Sequence, residues 1–257
     1  MAASAALLYA EREARVWSRL WRGSVFSGIL QPMLFLGAMG LGLGGLVDEN
    51  TGPVEGLDYL TFVAPGLLAA SALQHAAGSS LWPVMGGVKW MRHYHGAVAT
   101  PIRPADVCSG FLLWMGANMT INAVPFMVVA ALLGGVPSAW GVLAVPGAVL
   151  SALAFAAPLV AYAVTQEVES SFPVVLRLIV LPLFLFSGTF FPLDNLPAGL
   201  RPMAWVTPLW HGVELCRGAT TGSLELGPAV LHVAFLAACV GIGVAWGHRA
   251  FTRRLTP

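Results

Sequence analysis

VCSGFLLWMGANMTINAVPFMVVAALLGGVPSAWGVLAVPGAVLSALAFAAPLVAYAVTQ, residues 107–166, is a run of 60 positions without one aspartate, glutamate, lysine or arginine. A charge at the centre of a bilayer costs roughly 2.5–3.5 kcal/mol on insertion scales, so lipid-facing helices exclude what water-facing helices require. A hydrocarbon core of about 30 Å takes only about 20 helical residues, so the run is too long for one crossing. Gly134-Gly135-Val136-Pro137-Ser138 interrupts it with turn-forming residues. Two membrane helices therefore stand back to back, joined by a short loop.

The same test extended outward gives six spans, near 24–46, 59–81, 107–133, 140–165, 172–191 and 226–247, in an all-α polytopic membrane protein. Composition agrees: 57% hydrophobic, 10% charged and a mean hydropathy of +0.77. Pro158 and Pro182 are expected to kink the fourth and fifth spans, and Arg177 to snorkel to headgroups from the start of the fifth. The amino terminus is not expected to be a removable signal: its charged part reaches Arg22 and no small-residue cleavage site ends the apolar run. One membrane domain covers 1–257, with an interface helix at 1–23, the spans within 24–247 and a tail at 248–257.

With the amino terminus inside, the cytoplasmic pieces hold Arg12, Arg15, Arg19, Arg22, Lys89, Arg92, Arg103, Arg177, Arg249, Arg253 and Arg254, eleven of 13 basic residues. The first outer loop holds Asp48, Glu49, Glu55 and Asp58 and no basic residue. The positive-inside rule places both termini in the cytoplasm. A net charge of +1 gives no reason to expect a nucleic-acid partner. Cys108, Cys216 and Cys239 are too scattered for a disulfide framework or a zinc site.

Three segments do not span. Leu7, Ala10, Ala14, Trp17 and Trp21 recur at helical spacing opposite Arg12, Arg15, Arg19 and Arg22, the pattern of a helix lying on membrane lipid, as a topological anchor or a partner contact. The inner loop Lys89-Trp90-Met91-Arg92-His93-Tyr94-His95 mixes aromatic and basic residues, which suits either a protein-binding surface or anchoring at headgroup level. The outer stretch 188–222 is too apolar for a free loop and too broken for a span, and is read as one or two short helices dipping into the outer leaflet. There Glu214 lies three residues from both His211 and Arg217, so the set forms a bracing ladder or touches substrate.

Charge also limits what drives the chain. Proton- and ion-coupled carriers keep ionisable groups near the midplane. Only His75 and His232 fall there, and single histidines in spans usually bond one helix to another. A phosphate-binding G-x-x-x-x-G-K-[ST] loop is excluded, because the single lysine, Lys89, is followed by Trp90. Ser187-Gly188 lacks the glycine two positions before the serine of a G-x-S-G nucleophile site, no H-E-x-x-H signature occurs, and no catalytic, cofactor or metal residue is assigned.

Tyr59-Leu60-Thr61-Phe62-Val63-Ala64-Pro65-Gly66-Leu67, Trp82-Pro83-Val84-Met85-Gly86-Gly87-Val88-Lys89-Trp90 and Ala99-Thr100-Pro101 with Asp106 resemble segments of type-2 ABC exporter permeases. So do Phe186-Ser187-Gly188-Thr189-Phe190-Phe191-Pro192, Leu196-Pro197, and Pro208-Leu209-Trp210-His211 with Glu214 and Arg217. The joint pattern is similar to nodulation-factor (lipo-oligosaccharide) permeases and, more distantly, to daunorubicin-resistance permeases. The resemblance implies a half-transporter in a bacterial plasma membrane. Two permeases, copies or paralogues, would face each other above two separate ABC ATPase subunits that hold ATP and Mg. It assigns Lys89, Trp90, Met91, Arg92, Tyr94 and His95, with Glu167 and Glu169 of the next inner turn, to ATPase coupling. It places Phe184, Phe186 and Phe190 along the path of an amphiphilic cargo: a lipo-oligosaccharide, lipid-linked glycan or hydrophobic drug. A secondary carrier and a non-transporting membrane assembly protein are the alternatives.

Overall fold

The computed structural model describes residues 2–25, 30–197, 199 and 201–256, and they are helical except for turns and one isolated bridge, Val54 to Leu57. In chain order come α1 (Ala2–Val25), α2 (31–51, π-helical over Gly37–Leu43), α3 (Tyr59–Ser80), α4 (Trp82–Val88), α5 (His93–Val98) and α6 (Pro104–Leu132). They are followed by α7 (Ala144–Thr165), α8 (Phe172–Val175 and Leu181–Phe186, joined by π-helical Leu176–Val180), α9 (Arg201–Trp205), α10 (Pro208–Thr221) and α11 (Leu226–Leu255). Five stretches of helix are long and apolar enough to cross a membrane: Tyr59–Val88, Pro104–Leu132, Ala139–Thr165, Glu169–Phe186 and Leu226–Leu255. These correspond to the expected second to sixth spans. Residues 26–29 of the expected first span lie outside the described residues, while 31–51 continue it as helix.

Boundaries differ from expectation in two places. The fifth span stops at Phe186, not 191, where Ser187 leaves helical geometry and Gly188 takes φ 76°. The last helix runs on to Leu255 and so includes Arg249, Arg253 and Arg254. Pro158 sits inside α7 as expected, and Pro65 and Pro125 occupy α3 and α6 in the same way. Pro182 follows directly on the π-helical turns of α8. A proline offers no N–H to the carbonyl four residues back and its ring crowds that turn, so wider winding there removes the conflict. Arg177, on those turns, is exposed.

Helix starts follow local chemistry. Pro104 opens α6 and the Asp106 carboxylate reaches back to accept from the Arg103 N–H at 3.2 Å, satisfying the backbone at the helix start. Thr207 caps α10 ahead of Pro208, and Gly222 ends it at φ 78°. In the loop after α2, Glu55 and Gly56 both take positive φ, turning the chain between the bridged Val54 and Leu57.

α3 and α7 form the centre. α7 packs against α3, α6, α10 and α11, and α1 lies along α6. Of the apolar stretch containing α3, 72% is buried, against 17% for α11 and 11% for α8. The buried contacts are dominated by small residues: Ala69, Ala70, Ala76, Ala148, Ala152, Ala156 and Ala161 are at 0% exposure. Lipid gives apolar helices no hydrophobic reason to associate, so close backbone approach must supply the attraction. Gly243 marks such an approach, since a Cβ there would stand 2.6 Å from the Pro158 nitrogen. Gly110 does the same for α1, where a Cβ would lie 2.5 Å from the Ala6 carbonyl oxygen.

These clearances set a testable contrast on one helix. Gly243→Val is expected to destabilise the fold by about 1–3 kcal/mol through overpacking. Gly241→Val, which meets nothing within 4 Å, is expected to leave it unchanged. Thermal unfolding of the two purified variants in lipid nanodiscs checks this.

Candidate transport route and partner-facing surface

The inner loop turns between α4 and α5. Arg92 takes φ 51°, a left-handed conformation that ends the Lys89–Met91 turn and restarts the helix at His93. Trp90 and Met91 project from this turn at 57% and 68% exposure, and Lys89 and Arg92 are exposed beside them. Two anchors hold the turn. Lys89 Nζ donates to the Glu167 carbonyl, and Arg254 Nη1 meets Glu167 Oε1 at 2.5 Å, so the α4 end, the α7–α8 turn and the α11 end are tied together. The Arg254 hydrogen bond and charge hold the Glu167 carboxyl below its ordinary range.

The second anchor is Tyr94, which is fully buried. Its ring lies 6.3 Å from Tyr9 of α1, 6.5 Å from Phe111 of α6 and 5.4 Å from Phe251 of α11. Burial pushes both tyrosine phenols well above their usual range. Burial, and then the nearby Arg12 charge, lowers the His93 imidazole.

Of the eight residues assigned to coupling, the structure therefore gathers Lys89, Trp90, Met91, Arg92 and Glu167 on one exposed surface, with Glu169 exposed on the adjoining turn. Tyr94 instead faces inward, and His95 is half-buried with its Nδ1 unpartnered. Sequence reasoning missed Arg254 and Tyr9. On α1, Leu7 and Trp21 of the expected apolar stripe are exposed, while Ala6 and Tyr9 are buried and Trp17 meets Trp114 at 5.9 Å. A stripe read from hydropathy alone cannot tell a face against lipid from a face against protein, and Tyr9, one position from Ala10, was the available signal.

On the opposite side, α10 is inserted among α3, α7 and α11. Arg217, only 8% exposed, reaches out from it. One guanidinium nitrogen donates to the Gly188 carbonyl at 2.7 Å and to Phe62 O at 3.5 Å, another meets Glu214 at 3.3 Å, and the group lies 4.0 Å from the Phe62 ring centroid. The break after α8 leaves carbonyls without helical donors, and Arg217 supplies one of them. His211 does not join this set. Its Nε2 bonds to the Trp205 carbonyl at 2.9 Å, and its Nδ1 faces Nδ1 of His232 on α11 at 2.7 Å.

The three phenylalanines separate. Phe184 and Phe190 stack edge-on at 5.1 Å and share Phe35 of α2 as a neighbour at 6.3 and 5.9 Å. Phe186 lies elsewhere, in an open cleft of about 270 Å³ lined by Leu178, Pro182, Leu183, Met203 and Ala204.

Long apolar helices packed through alanine and glycine, with the buried short helix α10 between the last two spans, define a multi-pass membrane protein. Residues 8–220 match the ABC-2 type transporter family, and the chain belongs to that family, whose membrane subunits transport without catalysing. It is 26% identical to nodulation protein J of Rhizobium leguminosarum bv. viciae over 233 residues, 91% of this chain and 87% of that protein. To nodulation protein J of Rhizobium meliloti (strain 1021) it is 25% identical over 246 residues, 96% and 92% of the two chains. The corresponding protein of Rhizobium leguminosarum bv. trifolii is 28% identical over 206 residues, covering 80% and 77%.

Removing Arg217 leaves the Gly188 carbonyl and the Glu214 carboxylate without their donor. Arg217→Met is expected to destabilise the chain by about 1–3 kcal/mol, the cost of a buried carbonyl left without its donor, since Glu214 keeps access to solvent. Arg15→Met, whose partner Glu11 is 53% exposed, is expected to shift stability by less than about 1 kcal/mol. Comparative melting in nanodiscs reads both.

Proposed function

We propose that this chain is one permease subunit of an ATP-driven exporter in a bacterial plasma membrane. It pairs with a second copy or a paralogue and with two ABC ATPase subunits, which bind ATP and Mg because this chain lacks a phosphate-binding loop. Residues 24–46 supply a sixth span, α1 rests along the cytoplasmic lipid surface, and both termini are cytoplasmic. The cargo is amphiphilic: a lipo-oligosaccharide, a lipid-linked glycan or a hydrophobic drug. ATP binding closes the ATPases, the inner loops carry that motion upward, and the paired permeases open outward past α9 and α10.

The observation that supports this most is the exposed Trp90–Met91 tip on a turn pinned by Lys89, Glu167, Arg254 and Tyr94. Aromatic, methionine and arginine side chains presented together on a rigid base are the composition of a protein-docking surface. The histidines that a coupled carrier would need favour packing instead. His75 bonds Asn118 at 2.8 Å and His232 bonds His211 at 2.7 Å, each across two helices.

Co-expression with its ATPase tests the reading. The Trp90→Ala, Met91→Ala double variant is expected to weaken complex formation at least about tenfold and to lose permease-dependent ATP hydrolysis. Trp140→Ala, 66% exposed but on the opposite membrane side in this topology, is expected to behave as the parent. Normal binding and hydrolysis by the double variant would reject the docking assignment.

A further inference from the structure

A helix against lipid shows apolar residues outward, and α11 does so with Leu226, Val230, Leu231, Val233 and Ile242 exposed. α3 is inverted. Its buried positions are apolar, Leu67, Leu68, Ala70, Leu73 and Ala77 among them, while Ser71, Gln74, His75 and Gly78 form its open face. Their spacing of three and four residues puts them on one side of the helix. Across from them α6 brings Asn118 and Asn122, and Asn118 is midway between Pro104 and Leu132. The cluster therefore sits at membrane depth, where uncompensated polar groups are expensive.

Bonding between helices explains only part of it. His75 Nε2 donates to Asn118 Oδ1 at 2.8 Å, Asn122 Nδ2 donates to Asn118 O at 2.7 Å, and Ser71 Oγ donates to the Leu67 carbonyl. These bonds do not exhaust the donors, because the two amide N–H groups of Gln74 are unused among the described residues. His75 Nδ1, Asn122 Oδ1 and the Ser71 oxygen keep acceptor capacity, and exposed Gln74 has no partner among the described residues. No Asp, Glu, Lys or Arg lines the cleft between the two helices, whose remaining walls include Leu68, Met119 and Phe126. Its volume, about 20 Å³, admits one hydroxyl, so the rest of a headgroup would lie outside it along the open face of α3 at Gln74 and Gly78.

We infer that Ser71, His75 and Asn122 in the cleft, with Gln74 exposed on the open face of α3 beside it, form a mid-membrane subsite for the uncharged, hydroxyl-bearing headgroup of an amphiphile. Spare acceptors beside the free Gln74 amide suit hydroxyls, which both donate and accept, the lack of fixed charge discriminates against ionic headgroups, and the apolar walls receive the adjoining chain. The subsite rests on the exporter reading, since only a route through the protein gives a headgroup reason to reach this depth.

The test uses the full chain in nanodiscs and a diazirine-bearing alkyl glucoside, cross-linked by light and mapped by mass spectrometry. Label is expected in residues 71–78 and 118–126, displaced by octyl glucoside and reduced about tenfold in the Gln74→Leu, Asn122→Leu variant, the scale of losing two neutral hydrogen bonds. The trimethylammonium analogue of the probe is expected to label these segments no more than it labels α11. Glucoside label spread evenly over lipid-facing helices, or unchanged in the variant, overturns the subsite. A second readout needs no ligand: with Cys239→Ala as background, Gln74→Cys is expected to react with a water-soluble, membrane-impermeant thiol reagent, and a cysteine that never reacts also overturns it. Labelling here without any ATPase ever associating would reject the exporter reading and keep the site. A working ATPase complex with no label here would do the reverse.

Discussion

Between helices in a bilayer, an apolar side chain exchanges one hydrocarbon neighbour for another, so association depends on close contact and on hydrogen bonds that lipid cannot offer. The interior of this chain follows from that constraint. Alanine fills the contacts of α3 and α7, and Gly243, Gly110 and Gly212 stand where a Cβ would strike a neighbouring helix. Polar cross-links supplement the contacts: Ser151 Oγ donates to the Pro208 carbonyl at 2.9 Å, and Ser109 meets His248 at 2.7 Å. Larger apolar side chains are pushed outward, which is why α11 and α8 look bare in a single chain.

The stretch 187–222 meets the same constraint differently. Leaving helical geometry within an apolar setting frees backbone groups that must be satisfied by protein. Arg217 answers for Gly188 and Phe62, His211 for Trp205, and Ser151 for Pro208. The short helix α10 thus becomes part of the core instead of a loop laid over it, with Leu209, Val213 and Cys216 fully buried, while α9 buries only Ala204.

The absence of charge over 107–166 was enough to read two helices and a turn, and the structure has α6, Gly134 at φ 88° and α7 in those places. Span ends were less legible, because helices continue past the apolar stretch whenever charged residues suit helix geometry, as the arginines of α11 do. Among site residues, i,i+3 spacing puts His211, Glu214 and Arg217 along one stretch of α10; Glu214 meets Arg217, while the ring nitrogens of His211 bond Trp205 and His232. His232 is 21 positions away in sequence, and no local rule reaches that far. Tyr94 shows the complementary limit: an aromatic beside exposed Trp90 and Met91 has the same composition whether it points out or in, and only the approach of α1 and α11 decides.

That inward tyrosine has a mechanical consequence. Its ring is gripped by side chains from three segments far apart in the chain, and Gly87 packs so tightly beneath it that a Cβ would lie 2.5 Å away. Close-packed interiors yield by switching arrangement, not by gradual compression. A thrust delivered at the Trp90 tip therefore finds no cushion to absorb it. It arrives at α1, α6 and α11 together, as the tilt of a stiff body.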